Sequence, residues 1–205
     1  MKPTDDLETI LAQGQAAAVR GDAEAALAAF ESALTRDPRH AGALIGAGSA
    51  LIRLRRGVEA EARLRPALPH PAAVRNLGLL LMAQERHAEA LDLAQDTLRR
   101  APGHGEALYL RARCLAALGE HARAVEAYRM AARHHEHRSE AMVQQGVSLA
   151  ALGAFKQGLE TLDRAVALDP EAPVPRYHRG LVRLMTGDFA QGWADYESRW
   201  AAEEV

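Results

Sequence analysis

The run His134-His135-Glu136-His137 gathers three of the chain's nine histidines beside a carboxylate, so metal ligation is the first chemistry to weigh. Helical zinc motifs place two histidines four residues apart with a glutamate next to the first, and this run does not. So short a segment also presents its ligands poorly to one ion, and the expectation is a solvated interhelical loop with no metal. Cys114 is the single cysteine, so no intrachain disulfide can form, and a small buried residue on a helix is expected there. No glycine-rich loop follows a strand and no GxSxG elbow is present, which leaves nucleotide binding and nucleophilic catalysis unsupported. Neither enzymatic activity nor a cofactor is expected.

With 48% hydrophobic and 25% charged residues over 205 positions, the chain can bury a core. Its 25 basic and 27 acidic side chains leave a formal charge of -2, which gives no net attraction for nucleic acid, and none is expected as a partner. Lys2 is followed by Asp5, Asp6 and Glu8, unlike the apolar start of an export signal, so a cytoplasmic location is expected. The longest uncharged apolar stretch, 41–52, is too short to cross a bilayer and contains Gly42, Gly46, Gly48 and Ser49; membrane insertion is not expected.

The strongest signal in the sequence is a period of 34 residues. It relates Gly14 to Gly48, Gly78 to Ala112, and Ala112 to Gly146 and Gly180, slipping only between Gly48 and Gly78. Gly119, Gly153 and Gly187 repeat it, as do Ala94, Tyr128, Leu162 and Tyr196, with Phe30 and Leu64 similarly related. Within each period, apolar residues recur at three- and four-residue spacing with a break near the middle, which predicts two helices. Asp37-Pro38, Ala101-Pro102 and Asp169-Pro170 would close repeats one, three and five. Glycine inside a helix costs about 1 kcal/mol against alanine, so its recurrence in phase implies a close helix crossing. Ala26, Ala60, Ala90 and Ala124 are expected to face those glycines, and the mid-repeat glycines to end the first helix in a left-handed conformation. Pro66 should truncate or kink the second helix of repeat two, which is four residues short.

Small residues at the eighth and twentieth places, glycine at the turn, an aromatic or leucine at the twenty-fourth and proline at the thirty-second resemble the tetratricopeptide repeat. The resemblance implies an all-α, right-handed superhelical solenoid of antiparallel helix pairs. It would form a single domain over 1–205, with repeats near 7–40, 41–70, 71–104, 105–138, 139–172 and 173–205. In that family the first helices line a concave groove for a protein or peptide. Carried onto this chain, the lining places are Leu11 and Gln15, then Ile45, Ser49, Ile52 and Arg53, then Arg75, Asn76, Leu79 and Met82. They continue with Tyr109 and Arg113, then Val143, Gln144 and Val147, and finally Tyr177, His178 and Leu181. An apolar floor with scattered donors suits a peptide anchored by its side chains, and about a third of these residues should be inter-repeat core instead. Leu11 and Gln15 stand where family members that clamp acidic chaperone tails need a cation and an amide, so that role is not expected.

Phe189, Trp193, Tyr196 and Trp200 form an aromatic series at spacings of four, three and four, expected as one helix face packing mostly on the preceding helix, with the remainder a candidate end-face interface to a second copy or to the rest of a longer protein. The run 187–200 resembles the closing repeat of bacterial tetratricopeptide proteins that continue into a glycosyltransferase domain. Three roles are therefore expected in order: a protein-binding adaptor, the non-catalytic arm of a larger enzyme, and a homo-oligomer assembled through its terminal repeats.

Overall fold

The computed structural model describes residues 6–202, without the side chains of His135 and Ala202. The first five and last three positions of the expected domain, and the His135 side chain, lie outside that description. The described residues are helical throughout and contain no strand. They divide into two compact units, Met1–Thr97 and Leu98–Val205.

The first unit holds α1 (Leu7–Val19), α2 (Ala23–Arg36), α3 (Ala41–Arg53), α4 (Gly57–Leu64), α5 (Pro71–Ala83) and α6 (His87–Arg100), the last turn of α6 crossing the boundary. The second holds α7 (Gly105–Ala117), α8 (His121–Ala131), α9 (Arg138–Ala151), α10 (Phe155–Leu168), α11 (Pro173–Met185), α12 (Phe189–Tyr196) and α13 (Arg199–Ala202). First helices therefore start within a residue or so of the repeat boundaries read from the 34-residue period.

One turn joins each pair. The residue after the first helix's C-cap is left-handed at Gly21, Gly119, Gly153 and Gly187, with φ between 76° and 86°. Arg55 and Glu85 fill the same seat at φ 58° and 59°, where no glycine is available. In all six turns the next N–H reaches back five residues to a helix carbonyl: Asp22 to Ala17, Arg56 to Leu51, Arg86 to Leu81, Glu120 to Leu115, Ala154 to Leu149 and Asp188 to Arg183, at 2.9–3.0 Å. This bond satisfies a carbonyl that the helix end would otherwise orphan. Two side-chain types therefore accept strain so that the turn is the same throughout.

Histidine side chains cap three of the first helices. The Nδ1 atoms of His40, His70 and His104 accept the N–H groups of Ala43, Ala72 and Ala107 at 3.1, 3.2 and 3.3 Å. Asp22 and Asp188 do the same with a carboxylate for α2 and α12.

The crossings differ from the sequence expectation in one respect. Ala26, Ala60, Ala90 and Ala124 are all buried. Yet a Cβ built on Gly14 would first meet the Phe30 ring at 2.9 Å, and one on Gly48 would meet Leu64 Cγ at 2.6 Å. On Gly146 it would meet Leu162 Cγ, also at 2.6 Å. For Gly14 and Gly48 the partner is thus the residue four places beyond the expected alanine, and for Gly146 it is the residue in the same phase, because a helical side chain leans back over the turn preceding its own Cα. In the last hairpin backbone replaces side chain, with Tyr196 N at 2.7 Å and Gly192 O at 2.9 Å from the Gly180 position. Phe30 also presses on Gly46, at 2.5 Å from the built Cβ, so one ring fills notches on both α1 and α3.

Pro66 acts as the sequence predicts: α4 stops at Leu64, and Arg65–Ala67 form a 3-10 turn. Arg63 compensates by reaching α2, donating to both oxygens of Glu31 at 2.8 and 3.1 Å. In the second unit Val143, Leu162, Ala165 and Val182 form a buried cluster drawn from α9, α10 and α11. Asp195, 6% exposed, is held by Arg179 Nε at 2.7 Å and Arg183 Nη1 at 2.6 Å, which ties α12 to α11.

Candidate protein-binding faces

Consecutive first helices of the first unit touch through the side chains named for the groove. Arg53 Nη1 donates to the Ala18 carbonyl of α1 at 3.2 Å. Asn76 Nδ2 on α5 donates to Ser49 Oγ on α3 at 2.7 Å, and that hydroxyl donates to Ile45 O at 2.8 Å. Around this bond Leu11, Ile45, Ile52 and Met82 are half-buried, while Gln15, Arg53, Arg75 and Leu79 are exposed, Leu79 at 42%.

In the second unit two of the named positions belong to the core, the alternative expected for about a third of them. Tyr109 and Val143 are buried, so neither belongs to an accessible face. Val143 belongs to the cluster between α9, α10 and α11. Tyr109 lies against Tyr128 at 6.1 Å and stacks on His137 at 4.8 Å with 6° between the rings. Burial, then the neighbouring Glu140, pushes its phenol pKa well up. Arg113 sits 5.9 Å over the Tyr109 ring, covering it with its guanidinium. Gln144, Val147, Tyr177, His178 and Leu181 are half-buried. His178 lies edge-on to Tyr177 at 5.1 Å, and burial lowers its pKa.

The loop expected to be solvated around the histidine run is corrected as well. His137 is only 9% exposed, because its ring enters the space beside Tyr109 that a loop polar throughout would leave to water. Cys114 is buried as expected, and burial pushes its thiol up to about 11, so it stays protonated near neutrality.

The aromatic series does not form one continuous helix face. The helix α12 stops at Tyr196, and Trp200 belongs to the separate α13. At the break the single proton of the Ser198 hydroxyl is shared between Asp195 O at 2.6 Å and Pro173 O at 3.1 Å, a side-chain interaction that competes with continuation of the helix. Tyr196 packs on α11 through Tyr177 at 5.6 Å, but Phe189, Trp193 and Trp200 are 62%, 55% and 59% exposed. Arg199 stacks between Tyr196 and Trp200, 4.6 and 4.2 Å from their ring centres.

Sequence reasoning missed the capping role of the histidines. Its signal was present in the 30- and 34-residue spacing of His40, His70 and His104, each just before a first helix.

Two tetratricopeptide-repeat family models match the chain, over residues 11–76 and 75–139. The fold is similar to that of a tetratricopeptide repeat protein from Parabacteroides merdae ATCC 43184, with a TM-score of 0.75 and 19% identity over 95% of this chain and 79% of that one. It is similar to Pseudomonas aeruginosa pilF at a TM-score of 0.76 and 15% identity, covering 96% of this chain and 97% of that chain. It is also similar to YrrB, described as a TPR protein with an unusual peptide-binding site, at a TM-score of 0.61 and 23% identity over 85% and 92% of the two chains. A search of curated proteins found no sequence match.

The helix pairs, their common turn and their in-phase glycines define a repeat protein of the interaction-scaffold class. The chain belongs to the tetratricopeptide-repeat family. Among the described residues, no helix is long and apolar enough to cross a membrane.

Proposed function

We propose that the chain is an adaptor that holds a segment of a partner polypeptide against the first helices of its repeats. The observation that carries this reading is the Asn76–Ser49 hydrogen bond. It links α3 to α5 through one amide N–H of Asn76 and the Ser49 hydroxyl, and the proposed face carries the partly exposed Ile45, Ile52, Leu79 and Met82 together with Arg53 and Arg75. Such a face suits a segment with spaced apolar side chains and acidic groups, since apolar contacts anchor it and guanidinium groups orient it. The likeness to YrrB, whose description includes a peptide-binding site, agrees with this.

A photoreactive amino acid placed at Leu79 tests the proposal, with Val58 of α4 as the control because it is 85% exposed on a second helix. Crosslinking in cells at position 79 to a defined polypeptide, with position 58 silent, is the expected result. Equal labelling at the two positions would refute a first-helix binding face. Leu79→Asp should abolish the crosslinked partner's co-purification while leaving thermal unfolding unchanged, because the side chain is already partly solvated.

A further inference from the structure

We propose that Glu106, Glu136 and His137 form a binding site for a first-row divalent cation of the Zn²⁺ type within the second compact unit. The three come from two elements. Glu106 lies in the first turn of α7, 5% exposed, and the 3-10 turn His135–His137 carries Glu136 on its exposed side and His137 on its buried side. One donor atom of each lies within 4.8 Å of the others.

The decisive atom is His137 Nε2, which is buried and has no hydrogen-bond partner. It sits 3.5 Å from Glu106 Oε2. A charge-assisted N–H···O bond would be shorter, at about 2.7–2.9 Å. Two donors of a tetrahedral ion with bonds of about 2.0–2.2 Å stand roughly 3.4 Å apart. The observed spacing therefore fits joint ligation better than a direct contact. The ring is also fixed before any ion arrives, by its parallel stacking on Tyr109 at 4.8 Å.

The other repeats supply an internal comparison. His40, His70 and His104 stand just before first helices and spend Nδ1 on capping them. His137 stands at the corresponding place before α9 and makes no side-chain cap, its ring turned inward to Tyr109 and Glu106.

One imidazole and two carboxylates suit zinc, with water completing the coordination; sites for Mg²⁺ or Ca²⁺ use oxygen donors alone and soft-metal sites use thiolates.

The test uses the untagged 205-residue chain, stripped with EDTA and titrated calorimetrically with Zn²⁺ near pH 7.5. Saturable binding of one ion per chain and a rise in thermal midpoint are expected, and Co²⁺ should give the visible bands of a four-coordinate N/O site. Glu136→Gln alters an exposed side chain and leaves the fold intact, which circular dichroism verifies. It should weaken Zn²⁺ binding at least about tenfold, the loss that even an outer-shell partner causes. His137→Gln should weaken binding further, and His40→Gln should leave it unchanged. The proposal is overturned if no saturable binding occurs, or if Glu136→Gln binds Zn²⁺ as tightly as the parent.

Discussion

At residue scale, His178 on α11 makes a specific prediction. Its half-buried ring rests against Tyr177, and burial lowers its pKa below the ordinary value of 6.5. The folded chain therefore resists a proton that the unfolded chain accepts. Near neutral pH both states are unprotonated there and the residue costs nothing. As pH falls below about 6.5 the unfolded state gains protonation energy first, so stability declines until the depressed folded pKa is passed. His178→Phe should therefore lose less of its thermal midpoint than the parent between roughly pH 7.5 and 5.5, a comparison that differential scanning calorimetry makes directly. Residues of this kind were only partly legible beforehand. Cys114 could be placed from its rarity and its helical surroundings, but the burial of Tyr109 and Val143 depended on which side of a helix faces the next one. A family pattern assigns that only to within a neighbouring position.

At the scale of elements, the six hairpins could be read from glycine, proline and apolar spacing because those residues act locally: one breaks a helix, another starts it, the third faces the core. Backbone angles left no such trace at Arg55 and Glu85, whose left-handed conformations are visible only in three dimensions. Their strain gives a stability prediction. Left-handed geometry costs a non-glycine residue about 1–2 kcal/mol, partly offset by the greater freedom glycine has when unfolded. Arg55→Gly and Glu85→Gly should each stabilise the chain by about 0.5–1 kcal/mol in urea titrations. The reverse change, Gly119→Ala at φ 76°, should destabilise it by about 1 kcal/mol. Gly180→Ala should cost more, about 1–3 kcal/mol, because its Cβ meets the backbone of Tyr196 and Gly192, which cannot rotate away. The break after Tyr196 could not be foreseen from the 3-4 spacing of the aromatics. It depends on a hydroxyl that finds the Pro173 carbonyl across the hairpin.

For the molecule as a whole, a repeated hairpin means that stability is assembled from each repeat and its neighbours and need not vanish in one step. Family models match across 11–139, so the repeat pattern runs unbroken in sequence through the boundary between the two compact units. Both tryptophans of the chain lie late in it, on α12 and α13, and both are more than half exposed. Intrinsic emission will consequently report on one neighbourhood of the polypeptide, while ellipticity at 222 nm averages over every helix. Because that neighbourhood buries little apolar surface, its emission change should come at a lower denaturant concentration than the loss of ellipticity. Coincident curves would instead reveal a single cooperative transition, in which case a fluorimeter alone would suffice to rank every variant of this protein.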